Sequence, residues 1–186
     1  MERKEKLRSE IARISAGWEA DYFAESNRAI EKAALSLAEW MAARVVFCYV
    51  SVRNEPSTRK ILSAALESGK RLCVPRCAQN GVMHAHEIHS LDALRPARYG
   101  LLEPEQNAPI VPPEAVEFAI VPCVAADRQG HRIGHGAGYY DRYLANLDCP
   151  SVCLCRGRAL FPAVSTEEHD LPVRMVLTEK ELIRIG

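Results

Sequence analysis

The sequence lacks an excess of charge of either sign. Lys plus Arg and Asp plus Glu each number 24, so its 186 residues carry a formal net charge of zero. Nucleic acid and anionic membranes demand a basic excess, so neither is expected as a partner; a local basic site for a small anion stays open. No run approaches the roughly 20 apolar residues of a membrane-spanning helix. The charged opening "MERKEKLRSE" has no apolar core and does not read as a signal peptide. A disulfide framework is missing too: the seven cysteines are an odd number scattered among predicted strands, which reads as a reduced, cytoplasmic protein. There is no internal repeat, low-complexity tract or linker composition. At 48% apolar content, residues 1–186 predict one domain with a sizeable core. The GxxxxGK(S/T) phosphate loop is absent, and no catalytic triad is recognisable.

What is present is an alternation of helix and strand patterns. Residues 2 to about 15 predict a helix with Leu7, Ile11 and Ile14 on one face and Arg3, Lys4, Lys6 and Arg8 on the other. A second helix is predicted from Ser26, as N-cap, to about Ala43. "RVVFCYV" (44–50) reads as a buried strand, "STRKILSAALESGK" as a helix stopped at Gly69, and "RLCVP" (71–75) as another strand. That order is a βαβ unit, so the fold class predicted is a three-layer α/β/α arrangement on a mostly parallel sheet. Residues 76–113 read as irregular. "FAIVPCVAAD" (118–127) reads as one strand, "YYDRYLANL" as a short helix, and "SVCLC" (151–155) and "VRMVLT" (173–178) as strands. The site is expected at the carboxyl ends of the strands.

The run "RIGHGAGYYDRYL" (132–144) carries the most chemistry. Gly134, Gly136 and Gly138 follow a strand and precede a helix. Glycines there let a phosphate approach the backbone, and a helix start adds unpaired N–H groups. Arg132 can add a charge-assisted bond, Asp141 can hold Mg²⁺ beside substrate phosphates, and Tyr139 and Tyr140 can stack on a ring. A GxGxG alone reads equally well as a glycine-rich connector, Asp141 as a helix cap and the tyrosines as core with a wet tip.

This run resembles the R-L-G-x-G-x-G-(Y/F)-Y-D-R-x-L signature of the 5-formyltetrahydrofolate cyclo-ligases. "KEKLR" (4–8), "YVSVRNEPST" (49–58), "GLLEP" (100–104) and "EEHD" (167–170) resemble further family motifs, in the family's order. The resemblance implies ATP- and Mg²⁺-dependent conversion of 5-formyltetrahydrofolate to 5,10-methenyltetrahydrofolate. The γ-phosphate activates the formyl oxygen and N10 then closes the ring, with no protein nucleophile. Carried over residue by residue, it implies that Lys4, Arg8, Arg132, Gly134, His135, Gly136, Ala137, Gly138, Tyr139 and Tyr140 contact ATP. Val50 and Glu55 would line the folate pocket, and Asp141 and Asp170 would bind Mg²⁺. Arg132, Tyr140 and Asp141 would serve the chemistry itself. A monomer acting on small molecules is expected.

Departures from the pattern bear on activity. His135 stands where the family usually has tyrosine or a basic residue, and Ala137 where glycine or lysine is common. Arg156 or Arg158 lies near a usual glutamine and Ser165 near a usual proline, which touches the assignment of Asp170. A titrating His135 would make turnover pH-sensitive. Two other readings remain open. One is a diverged relative that binds nucleotide and folate, or another ligand, without this turnover. The other is a metal protein using His84, His86 and His89 with Cys149, Cys153 and Cys155.

Overall fold

The computed structural model describes residues 2–167 and 170–186. In chain order the elements begin with α1 (Glu2–Ser15), α2 (Ala20–Leu35), α3 (Ala38–Ala42), β1 (Val45–Cys48), α4 (Arg59–Glu67), β2 (Arg71–Cys77) and β3 (Met83–Ile88). Then follow β4 (Leu94–Pro96), β5 (Leu102–Pro104), β6 (Ile110–Val111), β7 (Phe118–Pro122), β8 (Ala125–Asp127) and β9 (Arg132–Ile133). The chain closes with α5 (Tyr139–Leu144), β10 (Ser151–Leu154), β11 (Leu160–Phe161), β12 (Met175–Leu177) and β13 (Leu182–Arg184).

An eight-stranded sheet in the order β13-β12-β10-β7-β1-β2-β3-β6 forms the centre. Its five inner strands, β12 to β2, pair in parallel, and β13, β3 and β6 add antiparallel edges. Strands buried on both faces need near-continuous apolar runs, and "VVFC" of β1 and "FAIVP" of β7 are buried throughout. Alternate side chains serve two cores. Val46, Cys48, Leu72, Ile120 and Val152 meet Ile30 and Ala34 of α2, Trp40 of α3 and Ile61, Leu62 and Ala65 of α4. Phe47, Cys73, Ala119, Val121 and Cys153 meet Ile11 of α1 and Tyr143 and Leu144 of α5. The three-layer arrangement follows, with part of the second face closed by a small sheet, β11-β8-β9. Gly69 follows α4 at φ +71, as a helix-ending glycine does.

Several boundaries differ from the expectation. The second helix starts at Ala20, with Glu19 as N-cap, and breaks before α3. Ser26 is therefore not a cap but a buried mid-helix residue; a polar pair, Ser26–Asn27, faces inward where local pattern reads it as a start. Residues 76–113 are not irregular: they extend β2 and supply β3 to β6. Their histidines and prolines suit edge strands, which need no continuous apolar run. "FAIVPCVAAD" is two strands, β7 in the main sheet and β8 in the small one. Among the described residues no helix is long and apolar enough to cross a membrane.

Candidate active site

β1, β7 and β10 run parallel side by side, so the segments leaving their carboxyl ends emerge together. The first is the loop after β1. It is closed by Tyr49 Oη donating to Pro56 O at 2.6 Å, Thr58 Oγ1 donating to Tyr49 O at 2.9 Å and reciprocal 3.1 Å bonds between Ser51 and Thr58. Arg53 turns the chain in the left-handed region (φ 50). Val52 N then donates to Glu55 Oε2 at 2.9 Å and Glu55 N to Val52 O at 3.1 Å. The Glu55 carboxylate is thereby held against its own turn, with 9% exposure. Val50, half-buried at the start of the same loop, packs on the apolar core.

The glycine loop leaves the β8–β9 hairpin. Gly136 (φ +101) and Gly138 (φ +67) occupy backbone regions that disfavour other residues. A Cβ at Gly136 would lie 3.3 Å from the guanidinium carbon of Arg8. Arg8 reaches the loop from α1, its Nε donating to Gly134 O at 2.7 Å. One helical turn earlier Lys4 pairs with Asp170 at 2.5 Å and Glu167 at 2.8 Å. Burial pulls the Lys4 ammonium down, but the hydrogen bonds and charges of Asp170 and Glu167 outweigh it and hold it above its ordinary range. The Lys4 bond in turn depresses the Glu167 carboxyl to about 2. Glu168 and His169 of the "EEHD" run lie outside the described residues.

Arg132 turns inward. Its side chain is 2% exposed, and Nη2 donates to Asp141 Oδ1 at 2.9 Å. Its guanidinium lies 5.6 Å from the Tyr140 ring, and its Nε has no partner among the described residues. Burial pushes the Tyr140 phenol well above its ordinary range. Tyr139 donates to Ala78 O at 3.4 Å. Ala137 O accepts from Arg142, which also bonds Gly81 O at 2.8 Å and so clamps the β2–β3 turn onto the loop. His135 Nε2 lies 3.2 Å from Glu55 Oε1, joining the glycine loop to the loop after β1.

Asp141 has one oxygen on Arg132 and is 20% exposed; its other oxygen has no partner among the described residues. Mg²⁺ takes one or two carboxylates plus substrate phosphates and water, and Asp141 fits that demand. Asp170 is engaged twice, by Lys4 and by the backbone N–H of Glu167 at 2.6 Å.

Among the described residues no group of three or more His, Cys, Asp and Glu side chains could hold a metal ion by itself. The Cys/His metal reading therefore has no support. His86 Nδ1 is bonded to Ala108 O at 2.8 Å, while His84 and His89 are exposed. Burial pushes the Cys149 thiol up to about 11 and the Cys153 thiol well above its ordinary range. All seven cysteines are free.

Pattern reading gave no role to Arg142, which stood inside the motif, and met Arg156 only as a departure from the family pattern. Arg156 bonds the carbonyls of Asn54 and Glu55 at 2.8 and 2.9 Å, partners far away in the chain.

A family model described as the 5-formyltetrahydrofolate cyclo-ligase family matches residues 1–179. The chain is 32% identical to a probable 5-formyltetrahydrofolate cyclo-ligase of Schizosaccharomyces pombe, over 98% of either chain. It is also 32% identical to the 5-formyltetrahydrofolate cyclo-ligase of Saccharomyces cerevisiae, over 91% of this chain and 92% of that one. The solved 5,10-methenyltetrahydrofolate synthetase of Aquifex aeolicus superposes with a TM-score of 0.87 at 26% identity, covering 98% of this chain and 92% of the other.

Proposed function

This chain belongs to the 5-formyltetrahydrofolate cyclo-ligase family of enzymes, and from that premise we propose that it converts 5-formyltetrahydrofolate to 5,10-methenyltetrahydrofolate at the expense of ATP. The formyl oxygen attacks the γ-phosphorus of ATP and ADP leaves. N10 attacks the activated formyl carbon and gives its proton to solvent. The C–O bond then breaks, and phosphate departs with the former formyl oxygen. Such a sequence needs positioned partners and stabilised charge rather than a protein nucleophile.

One observation carries this reading: the 3.2 Å approach of His135 to Glu55. It brings the loop suited to phosphates against the carboxylate suited to a pterin's adjacent N–H groups, and phosphoryl transfer to a formyl group requires that adjacency. Lys4, Arg8, Gly134, His135, Gly136, Ala137, Gly138 and Tyr139 hold the nucleotide in this proposal. Val50 and Glu55 hold the pterin. Asp141, steadied by Arg132 over the Tyr140 ring, would hold Mg²⁺ with Asp170 as a further carboxylate. The ion would supply neutralisation of the phosphate charge and orient the γ-phosphoryl group. The free thiols fit a reducing compartment, and the cytoplasm is the proposed location.

The test is direct. Purified protein, 5-formyltetrahydrofolate, Mg²⁺ and ATP are mixed and the near-ultraviolet absorbance of the methenyl product is followed against an ATP-free control. ATP-dependent growth of that band is expected. Its absence, with ATP and folate both bound, would make the chain a binding relative without this turnover.

A further inference from the structure

We propose that Arg156 is the positioning residue that aims the Glu55 carboxylate and so sets affinity for the reduced folate; this rests on the assignment of Glu55 to the pterin pocket. Arg156 follows β10, is 3% exposed and makes no ion pair with a carboxylate among the described residues. Burial pulls its guanidinium below the ordinary range, outweighing the more distant charge of Glu179. Burying a guanidinium without a counter-charge is unfavourable unless its N–H groups are satisfied.

They are satisfied on two sides. Nε donates to Asn54 O at 2.8 Å and Nη2 to Glu55 O at 2.9 Å, the two carbonyls that follow the left-handed turn at Arg53. A planar fork spans two such acceptors where a lysine meets only one. On the other side Nη2 also donates to Asn27 Oδ1 at 2.8 Å and Nη1 to Ser26 Oγ, both on α2. The Phe23 ring lies 4.7 Å from the guanidinium carbon. Asn27 Oδ1 additionally accepts from Ser57 N at 3.0 Å.

The turn at 52–55 is closed by its own Val52–Glu55 bonds, but those bonds do not aim it. Arg156 ties the turn to α2 and to the end of β10, and that connection gives Glu55 its direction relative to the sheet. None of its partners is Arg8, Gly134, Arg132 or Asp141, and its link to the nucleotide side is indirect, through the 3.2 Å approach of Glu55 to the exposed His135.

The test compares wild type with Arg156→Met, Arg156→Lys, Glu55→Gln and the double variant Arg156→Met/Glu55→Gln. KM for each substrate, kcat, equilibrium affinity for 5-formyltetrahydrofolate and ATP, and melting temperature are measured. Arg156→Met is expected to weaken folate roughly tenfold, the scale of one lost polar contact, with ATP affinity unchanged. Arg156→Lys recovers part of that loss. The double variant binds folate about as poorly as Glu55→Gln alone, because both changes act through one carboxylate.

Equal loss of ATP and folate affinity, unchanged folate affinity, or additive losses in the double variant would each overturn the proposal. If Arg156→Met does not fold, Asn27→Ala reads the same effect at smaller size, and unchanged folate affinity there overturns it too. Wild type that binds folate without turnover sinks the reaction reading alone, since the affinities still test Arg156. Wild type that binds no folate sinks both.

Discussion

Replacing Asp141 by asparagine is expected to destabilise the ligand-free protein as well as to stop turnover. The carboxylate faces Arg132 at 2.9 Å, and the arginine side chain is only 2% exposed. Asparagine keeps a hydrogen-bond acceptor but removes the charge, leaving a buried guanidinium whose Nε already lacks a partner among the described residues. Breaking a fully buried pair costs about 3–5 kcal/mol. Asp141 is 20% exposed, so water screens part of the loss and about 2–3 kcal/mol is the working figure. For a chain of this size each kcal/mol shifts the melting temperature by about 2–4 °C, so a fall of about 4–12 °C is expected. Calorimetry without ligands at neutral pH measures it, and the absorbance assay measures kcat in the same preparation. A melting temperature unchanged or raised would refute the reasoning. Asp141 would then be a carboxylate kept for the metal at the expense of stability, and Arg132 would have found another partner.

The other perturbations separate the two halves of the site. Gly136→Val places a β-branched residue at φ +101 against Arg8, strain of about 1–3 kcal/mol; ATP affinity should fall at least about tenfold, and normal binding by titration calorimetry would remove the cradle. Glu55→Gln should raise KM for folate and spare ATP, whereas equal losses for both substrates would take Glu55 out of the pterin pocket. Docking of α1 through Lys4 should hold only in a pH window. Glu167 is depressed from 4.5 to about 2, so its contribution is complete above 4.5 and is lost as pH falls toward 2. Lys4 is raised from 10.5, so its contribution is complete below 10.5 and is lost above it. Amide-exchange protection of α1 should therefore weaken between about pH 4.5 and about pH 2 in wild type and less so in Lys4→Met; equal profiles would count against the pairing.

Local pattern carried the features that local physics controls. The i, i+4 spacing of Lys4 and Arg8, the stop at Gly69, the apolar runs of β1 and β7 and the glycines before "YYDRYL" are all settled within a few residues by dihedral limits and side-chain period. They were legible in sequence, and so was the parallel α/β core. The antiparallel strands between residues 76 and 113 were not, because edge strands carry no continuous apolar signal. Nor was the start of α2, where Ser26 and Asn27 face inward to serve a distant guanidinium.

What only the tertiary structure decided is how groups far apart in the chain are paired. Arg156 meets Asn54 across 102 positions, Lys4 meets Glu167 across 163 and His135 meets Glu55 across 80. Arg132 faces inward to Asp141 because β9 and α5 close over the second core. The chain's own residues determine which loops can bend, carry charge and approach a ligand. Which charges then face one another depends on the parallel sheet bringing its carboxyl ends together, because a guanidinium or carboxylate has no preferred partner until burial removes water as the alternative.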